Sequence, residues 1–491
     1  MAASAPISKT IYLGAFVHSV SLQELEICPC GAIGVDEEGV IRFVERDVDG
    51  DTGRVYAKHE QWKGASVVRI QGKGFFFPGF IDTHTHAPQH PNTGLFGQTT
   101  LLSWLTTYTF PLEASLSSLP TAHRIYSNFV SRTLSHGTTT CAYYATIHVP
   151  ATNLLASLCL ARGQRALVGR VCMTTDMSPD YYRDASVASA LRDSQASIDY
   201  IRAIDPHGAI VRPVVTPRFA PSCSTECLAA LGALAHSTDS FIQTHISENT
   251  GEIALVRDLF PASDSYAAVY DAAHLLTPRT ILAHAVHLSA AERKLVASRG
   301  AKIAHCPASN TALTSGCAPV RELLDAGLTI GLGTDVSGGF SPSILEECRQ
   351  AIWASRFRAM CDGDAAKLTT GEVLYLATRG GAEVVGLEDK VGGFEVGMEW
   401  DAQMVRLGEV PVPVGLMGGD ESEHEGDAAD VDIAELANRG VDAPQTEPFR
   451  NGPVDVFGTE SWDELVQKWV YSGDDRNTIA VWVRGRLVHQ I

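Results

Sequence analysis

Apolar positions along the chain fall into two rhythms. Residues 1–74 carry short strand-like pieces, Thr10–Phe16, Ala32–Val35 and Val40–Val44, parted by Gly and acidic turns. From Phe75 the rhythm changes. Eight apolar runs recur, FFFPGFID, GTTTCAYYAT, RALVGRVCMT, AIVRPVVTP, FIQTH, TILAH, AKIAH and TIGLGTD, with helix-length stretches between them such as Ala290–Arg299 and Ser343–Phe357. Repeated strand–helix units in that number, over a span of about 250 residues or more, predict an α/β protein built on a (β/α)8 barrel. After Leu387 the pattern returns to strand fragments, Asp401–Arg406 and Ile479–Val488. Both ends therefore read as β, and a small β-sandwich domain made from both termini is expected to flank the barrel. The expected division is 1–74 and 388–491 for the sandwich, and 75–387 for the barrel.

One late stretch fits neither rhythm. Leu407–Asn438 holds nine acids and no Lys or Arg, and reads as a solvated acidic loop in preference to a tail for a basic partner. It also explains the charge. The 491 residues carry 38 Lys and Arg against 57 Asp and Glu, a formal −19, of which this segment supplies −9. The remaining acidity is moderate. It gives no basic footprint for nucleic acid, and no apolar run reaches the ~18 residues of a membrane span. Eleven cysteines in irregular spacing do not form a disulfide framework. Cys28 and Cys30, and Cys223 and Cys227, have the wrong spacing for a zinc knuckle and are expected to be buried thiols. The opening MAASAPISKTIYLG has no basic leader pattern and the closing LVHQI is no peroxisomal address. A cytoplasmic enzyme is the expectation.

The chemistry gathers where the apolar runs stop. The first ends in Asp82-Thr83-His84-Thr85-His86, and residues two apart share a strand face. The fifth ends in His245, the sixth in His284, the seventh in His305 and the eighth in Asp335. Barrel active sites sit at the C-terminal ends of the strands. Imidazoles and a carboxylate converging there predict a metal site, with Zn²⁺ suited to N and O ligands. A single strand-end His reads as a hydrogen-bonded core residue, so the constellation carries the signal; His305 is its weakest member. Glu248 follows His245 by three residues at the same rim, where a carboxylate that is not a ligand can move protons. The chain has no GxSxG elbow, Walker loop or complete dinucleotide fingerprint.

These residues resemble the amidohydrolase superfamily and, more narrowly, the guanine deaminase family. The resemblance covers most of the chain: PGFIDTHTH with Ala87-Pro88-Gln89, WLTTYTFP (Trp104–Pro111), GTTTCAYYAT, TPRF (Thr216–Phe219), THISEN, AHCPASN, GLGTDVSGG and GDDRN. By that resemblance His84, His86, His245 and Asp335 would hold one Zn²⁺ per chain. His284 and Asp335 would orient the metal-bound water, and Glu248 would shuttle protons. Gln89, Arg218 and Phe219, with His245 and Glu248, would contact a purine base, and the Trp104–Pro111 segment would cover it or pack in the core. Relatives with two metals carry a strand-end Lys; the third and fourth runs here offer Arg but no Lys, which implies a mononuclear site. The implied reaction is hydrolysis of guanine to xanthine and ammonia by a homodimer. Alternatives are an amidohydrolase acting on an adenine-type, pterin-type or chloro-substituted heterocycle, and a non-catalytic scaffold. The acidic segment has no counterpart in the compact members of that family.

Overall fold

The structure, a computed structural model, describes residues 7–410 and 452–491. Most of the acidic segment, from residue 411 on, lies outside the described residues. All eight expected runs contribute a parallel strand: β1 (Phe80–His86), β2 (Thr138–Tyr144), β3 (Arg165–Gly169), β4 (Val211–Pro217), β5 (Phe241–Ile246), β6 (Thr280–His284), β7 (Lys302–His305) and β8 (Ile330–Leu332). They pair in chain order from β1 to β8. The seam between the last strand and the first is closed by other bonds. Thr83 Oγ1 donates to Leu332 O at 2.8 Å, and the amides of Asp335 and His86 donate to His84 O and Val336 O at 2.8 and 3.1 Å.

Register sets what the barrel mouth holds. His245 lies opposite Ala283 and Ile246 opposite His284, so the β5 and β6 histidines end at nearly the same height. The intervening helices are specified locally. Val187–Ile204 starts at Ser186, whose hydroxyl accepts from Ser189 N, and it buries Ala190, Ser194, Ile198 and Ile201 at helical spacing. The helices foreseen at Ala290–Arg299 and Ser343–Phe357 form at Ala290–Ser298 and Ile344–Asp362.

The small domain is one mixed sheet of eight strands drawn from both ends of the chain. The first apolar run is shared between the two units. Gly74–Pro78 belongs to the terminal sheet, pairing antiparallel with Ala402–Arg406, and only the residues from Phe80 on enter the barrel. The expected fragment Ile479–Val488 is a hairpin, Thr478–Val483 with Arg486–Gln490. One helix was not foreseen, Trp462–Ser472. Ser461 and Glu464 cap it reciprocally, and Leu465, Val466, Trp469 and Val470 are buried. Trp469 stacks on Phe80, ring centroids 5.8 Å apart.

Arg165, at the start of β3, ties the two units together. It donates to Asp401 Oδ2 at 2.7 Å and to Glu399 Oε2 at 2.6 Å. Among the described residues no helix is long and apolar enough to cross a membrane.

Candidate active site

His84 and His86 reach the mouth at the end of β1, where the register against β2 is irregular between Asp82 and Thr85. Asp82 fixes that irregular end, accepting from Thr334 N at 3.0 Å, Thr334 Oγ1 at 2.5 Å and His84 N at 3.2 Å. His84 Nε2 lies 3.1 Å from Asp335 Oδ1 and 3.3 Å from His86 Nε2. His86 Nε2 is 3.2 Å from Asp335 Oδ1 and 3.3 Å from His245 Nε2. A tetrahedral ion with ligand bonds of 2.0–2.1 Å has donor–donor edges of about 3.3–3.4 Å, so these atoms are spaced as a zinc site requires.

The protonation states suit a cation too. Burial holds His84 down to about 3 and His245 well below the usual imidazole range, leaving both rings neutral, as ligation demands. The His245 tautomer is fixed, since Nδ1 donates to Arg218 O at 2.6 Å and Nε2 is left bare. Burial raises the Asp335 carboxyl, but the surrounding imidazoles outweigh it and hold it well below the carboxylate range. The spacing and the mixed imidazole–carboxylate donor set fit a divalent metal.

His284 stands beside this group. Its Nε2 is 3.8 Å from Asp335 Oδ2 and 3.5 Å from Glu248 Oε2. One atom each of His84, His245, His284 and Asp335 lies within 4.8 Å of the others, but the His284 distances exceed a tetrahedral edge. Its Nδ1 is held by Asn310 Oδ1 at 2.9 Å. Burial lowers its pKa, and the carboxylates of Glu248 and Asp335 more than reverse this. Glu248 is fully buried, which pushes its carboxyl up to about 7. Ser315 Oγ donates to Glu248 Oε1 at 3.1 Å, and Glu252 Oε2 takes its backbone N–H at 2.9 Å. His305 is buried with both ring nitrogens unpartnered among the described residues, and it stays outside the cluster.

Backbone conformation confirms how tightly the mouth is built. Ser247, His284, Ala285 and Asp335 have φ of +50°, +74°, +51° and +43°, each costing ~1–3 kcal/mol for a side-chain-bearing residue.

A small cavity opens on the cluster, lined by His86, Gln89, Leu101, Trp104, Leu105, Arg218, Phe219, His245, Glu248, Leu313 and Asp335. Every sequence-expected base contact is among them. Of the Trp104–Pro111 segment, Trp104 and Leu105 line the cavity, while Phe110 is buried against Arg218 with the guanidinium 5.3 Å from its ring centre. Leu105–Thr109 is a π-helical turn, a distortion common where a helix is bent to serve a site. Gln89 Oε1 accepts from Ser337 N at 3.1 Å.

Sequence reasoning missed three supporting residues. Glu113 is fully buried and binds Gln89, Arg218 and Tyr182. Asn310 orients His284. The ring of Tyr144 packs 4.6–5.0 Å from His84, His86 and His245. Asn310 and Tyr144 stood inside quoted motifs, yet nothing in the string marked their roles.

Comparison with known proteins now decides the family. The amidohydrolase family model matches residues 75–488. The chain belongs to the amidohydrolase family. Among curated members of this family it is 44% identical to a probable guanine deaminase of Schizosaccharomyces pombe, over 97% of the chain and 83% of that protein. It is 36% identical to human guanine deaminase over 99% and 98%. A crystal structure of guanine deaminase from C. acetobutylicum with bound guanine superposes with a TM-score of 0.81 at 29% identity, covering 98% of this chain and all of that one.

Proposed function

We propose that this amidohydrolase hydrolyses guanine to xanthine and ammonia. One observation carries the reading: a four-donor metal cluster, a buried carboxyl at about pKa 7 and an Arg–Gln wall face a single small cavity. The guanine deaminase relatives support the choice of base. His84, His86, His245 and Asp335 would hold one zinc ion, and the absence of Lys at the ends of β3 and β4 supports a single metal. When bound, zinc supplies the Lewis acidity that makes water nucleophilic near neutral pH.

The protein's own groups do the rest. Arg218 donates to a ring carbonyl, and Gln89 offers a donor and an acceptor to the lactam edge. Phe219 flanks the ring. His284 Nε2 and Asp335 Oδ2 hold the attacking water toward the carbon that bears the amine. Glu248 takes a proton from that water and passes it to the neighbouring ring nitrogen, then takes the hydroxyl proton of the tetrahedral centre and delivers it to the amine, which leaves as ammonia. Water contributes its oxygen to the new carbonyl, and the C–N bond breaks. Leu101, Trp104 and Leu105, outside the donor cluster's own strands, line the cavity as well.

By the same reading the enzyme is a cytoplasmic homodimer; light scattering on the purified protein tests its assembly. The activity is tested by guanine turnover in wild type beside Glu248→Gln, with zinc measured in both. We expect full zinc in each and a kcat lower by ~10²–10⁴-fold in the variant. No ammonia from guanine in the wild type would sink the reading.

A further inference from the structure

The wall that faces the base is organised by a residue that does not touch it. Glu113, absent from the cavity lining, lies fully buried behind Gln89 and Arg218. Its Oε2 takes Arg218 Nη1 at 2.5 Å and the Tyr182 hydroxyl at 2.7 Å. Its Oε1 takes Arg218 Nη2 at 3.1 Å and Gln89 Nε2 at 2.8 Å. The carboxylate therefore accepts four bonds, one for each of its lone-pair sites. Arg218 is left three of its five N–H donors, and Gln89 one amide hydrogen. The bidentate grip fixes the plane of the guanidinium, and the second bond to Gln89 fixes which end of that amide is nitrogen. Burial would raise the Glu113 carboxyl, but Arg218 beside it outweighs this and keeps it ionised.

We propose that Glu113 is a positioning and specificity residue: by cancelling the charge of Arg218 while pinning Arg218 and Gln89, it turns the wall into a donor surface without net charge. Such a wall accepts a neutral carbonyl-bearing base and disfavours an anionic one. A lone buried guanidinium would do the opposite, since any anion entering the cavity would relieve its missing counter-charge. The inference rests on the purine-base reading of this cavity.

The test compares binding of two probes by calorimetry to zinc-loaded protein at about pH 7.5: hypoxanthine, a neutral lactam, and urate, an anion. In Glu113→Gln the affinity ratio is expected to move toward urate by roughly tenfold or more, with guanine KM rising more than kcat falls. Glu113→Asp, which keeps the charge, is expected to retain the wild-type ratio. An unchanged ratio in Glu113→Gln overturns the proposal. Should that variant not fold, Arg218→Gln leaves the opposite charge unpaired and must move the ratio away from urate; no movement there overturns it equally. Wild-type guanine turnover, run alongside, tests the guanine reading separately, because the binding ratio is read without turnover.

Discussion

The two ends of the barrel are lined by the same eight strands and have opposite characters. At the N-terminal ends a cavity of about 640 Å³ is lined by Arg202, Arg212, Arg279 and Lys302 with Asp205 and Asp239. At the C-terminal ends the open space is about 30 Å³. The larger space is chemically idle. Its cations cap loop carbonyls, Arg212 donating to Gly208 O at 2.9 Å and Arg279 to Asp239 O at 2.8 Å. The smaller space holds neutral imidazoles, a carboxyl raised to about 7 and four left-handed non-glycine residues. Convergence of imidazole and carboxylate donors marks the working end, and cavity size does not.

Four experiments would break or sharpen that contrast. The largest effect is expected from His86→Ala at the C-terminal end: zinc content should fall well below stoichiometric and guanine turnover by more than about 10³-fold. Zinc retained with ordinary turnover would remove His86 from the ligand set. Next comes Arg165→Met at the N-terminal end, which leaves Asp401 buried and uncompensated. Urea unfolding should show a loss of ~3–5 kcal/mol, while kcat/KM of the folded protein stays within about twofold. A large fall in kcat/KM at full zinc would mean that the two ends are coupled.

The third effect depends on pH. Glu248 acts first as a base, and its carboxyl stands near 7 because burial disfavours the ionised form. Protonation below that value removes the base, so kcat/KM should drop about tenfold per unit on the acid side of neutrality. In Glu248→Gln this limb should vanish; a limb near 4.5 in wild type would contradict the assignment. The smallest effect is expected from Arg279→Ala, a half-exposed cation bound to Asp239: a stability change of about 1 kcal/mol or less and no change in turnover.

The same contrast explains what could be read from the string. The barrel was legible because its strands recur with a helix-length spacing, and the donor cluster because His84, His86, His245 and Asp335 each close an apolar run. Where the first run divides was not legible. Phe75, Phe76 and Phe77 are all buried, so no alternation of polar and apolar residues marks the passage from the terminal sheet to β1. The helix Trp462–Ser472 carried a readable cap and stripe but lay among strand fragments. Glu113 was the least legible. Two residues after Pro111, in the first turn of Phe110–Ser115, an acid reads as a residue favoured by the helix dipole. Only its bonds to Arg218, 105 positions later, disclose its use.

The seam between β1 and β8 carries one more consequence. His84 and Asp335 stand 251 positions apart and meet across it. During synthesis the histidine pair of β1 exists long before its carboxylate partner has been made, and β8 is the last barrel strand laid down. A nascent chain thus offers a metal only an incomplete chelate, and high affinity arrives with ring closure. Metal loading would report that the whole barrel has been assembled, and the ion would act as a clasp across the seam that joins its first and last strands.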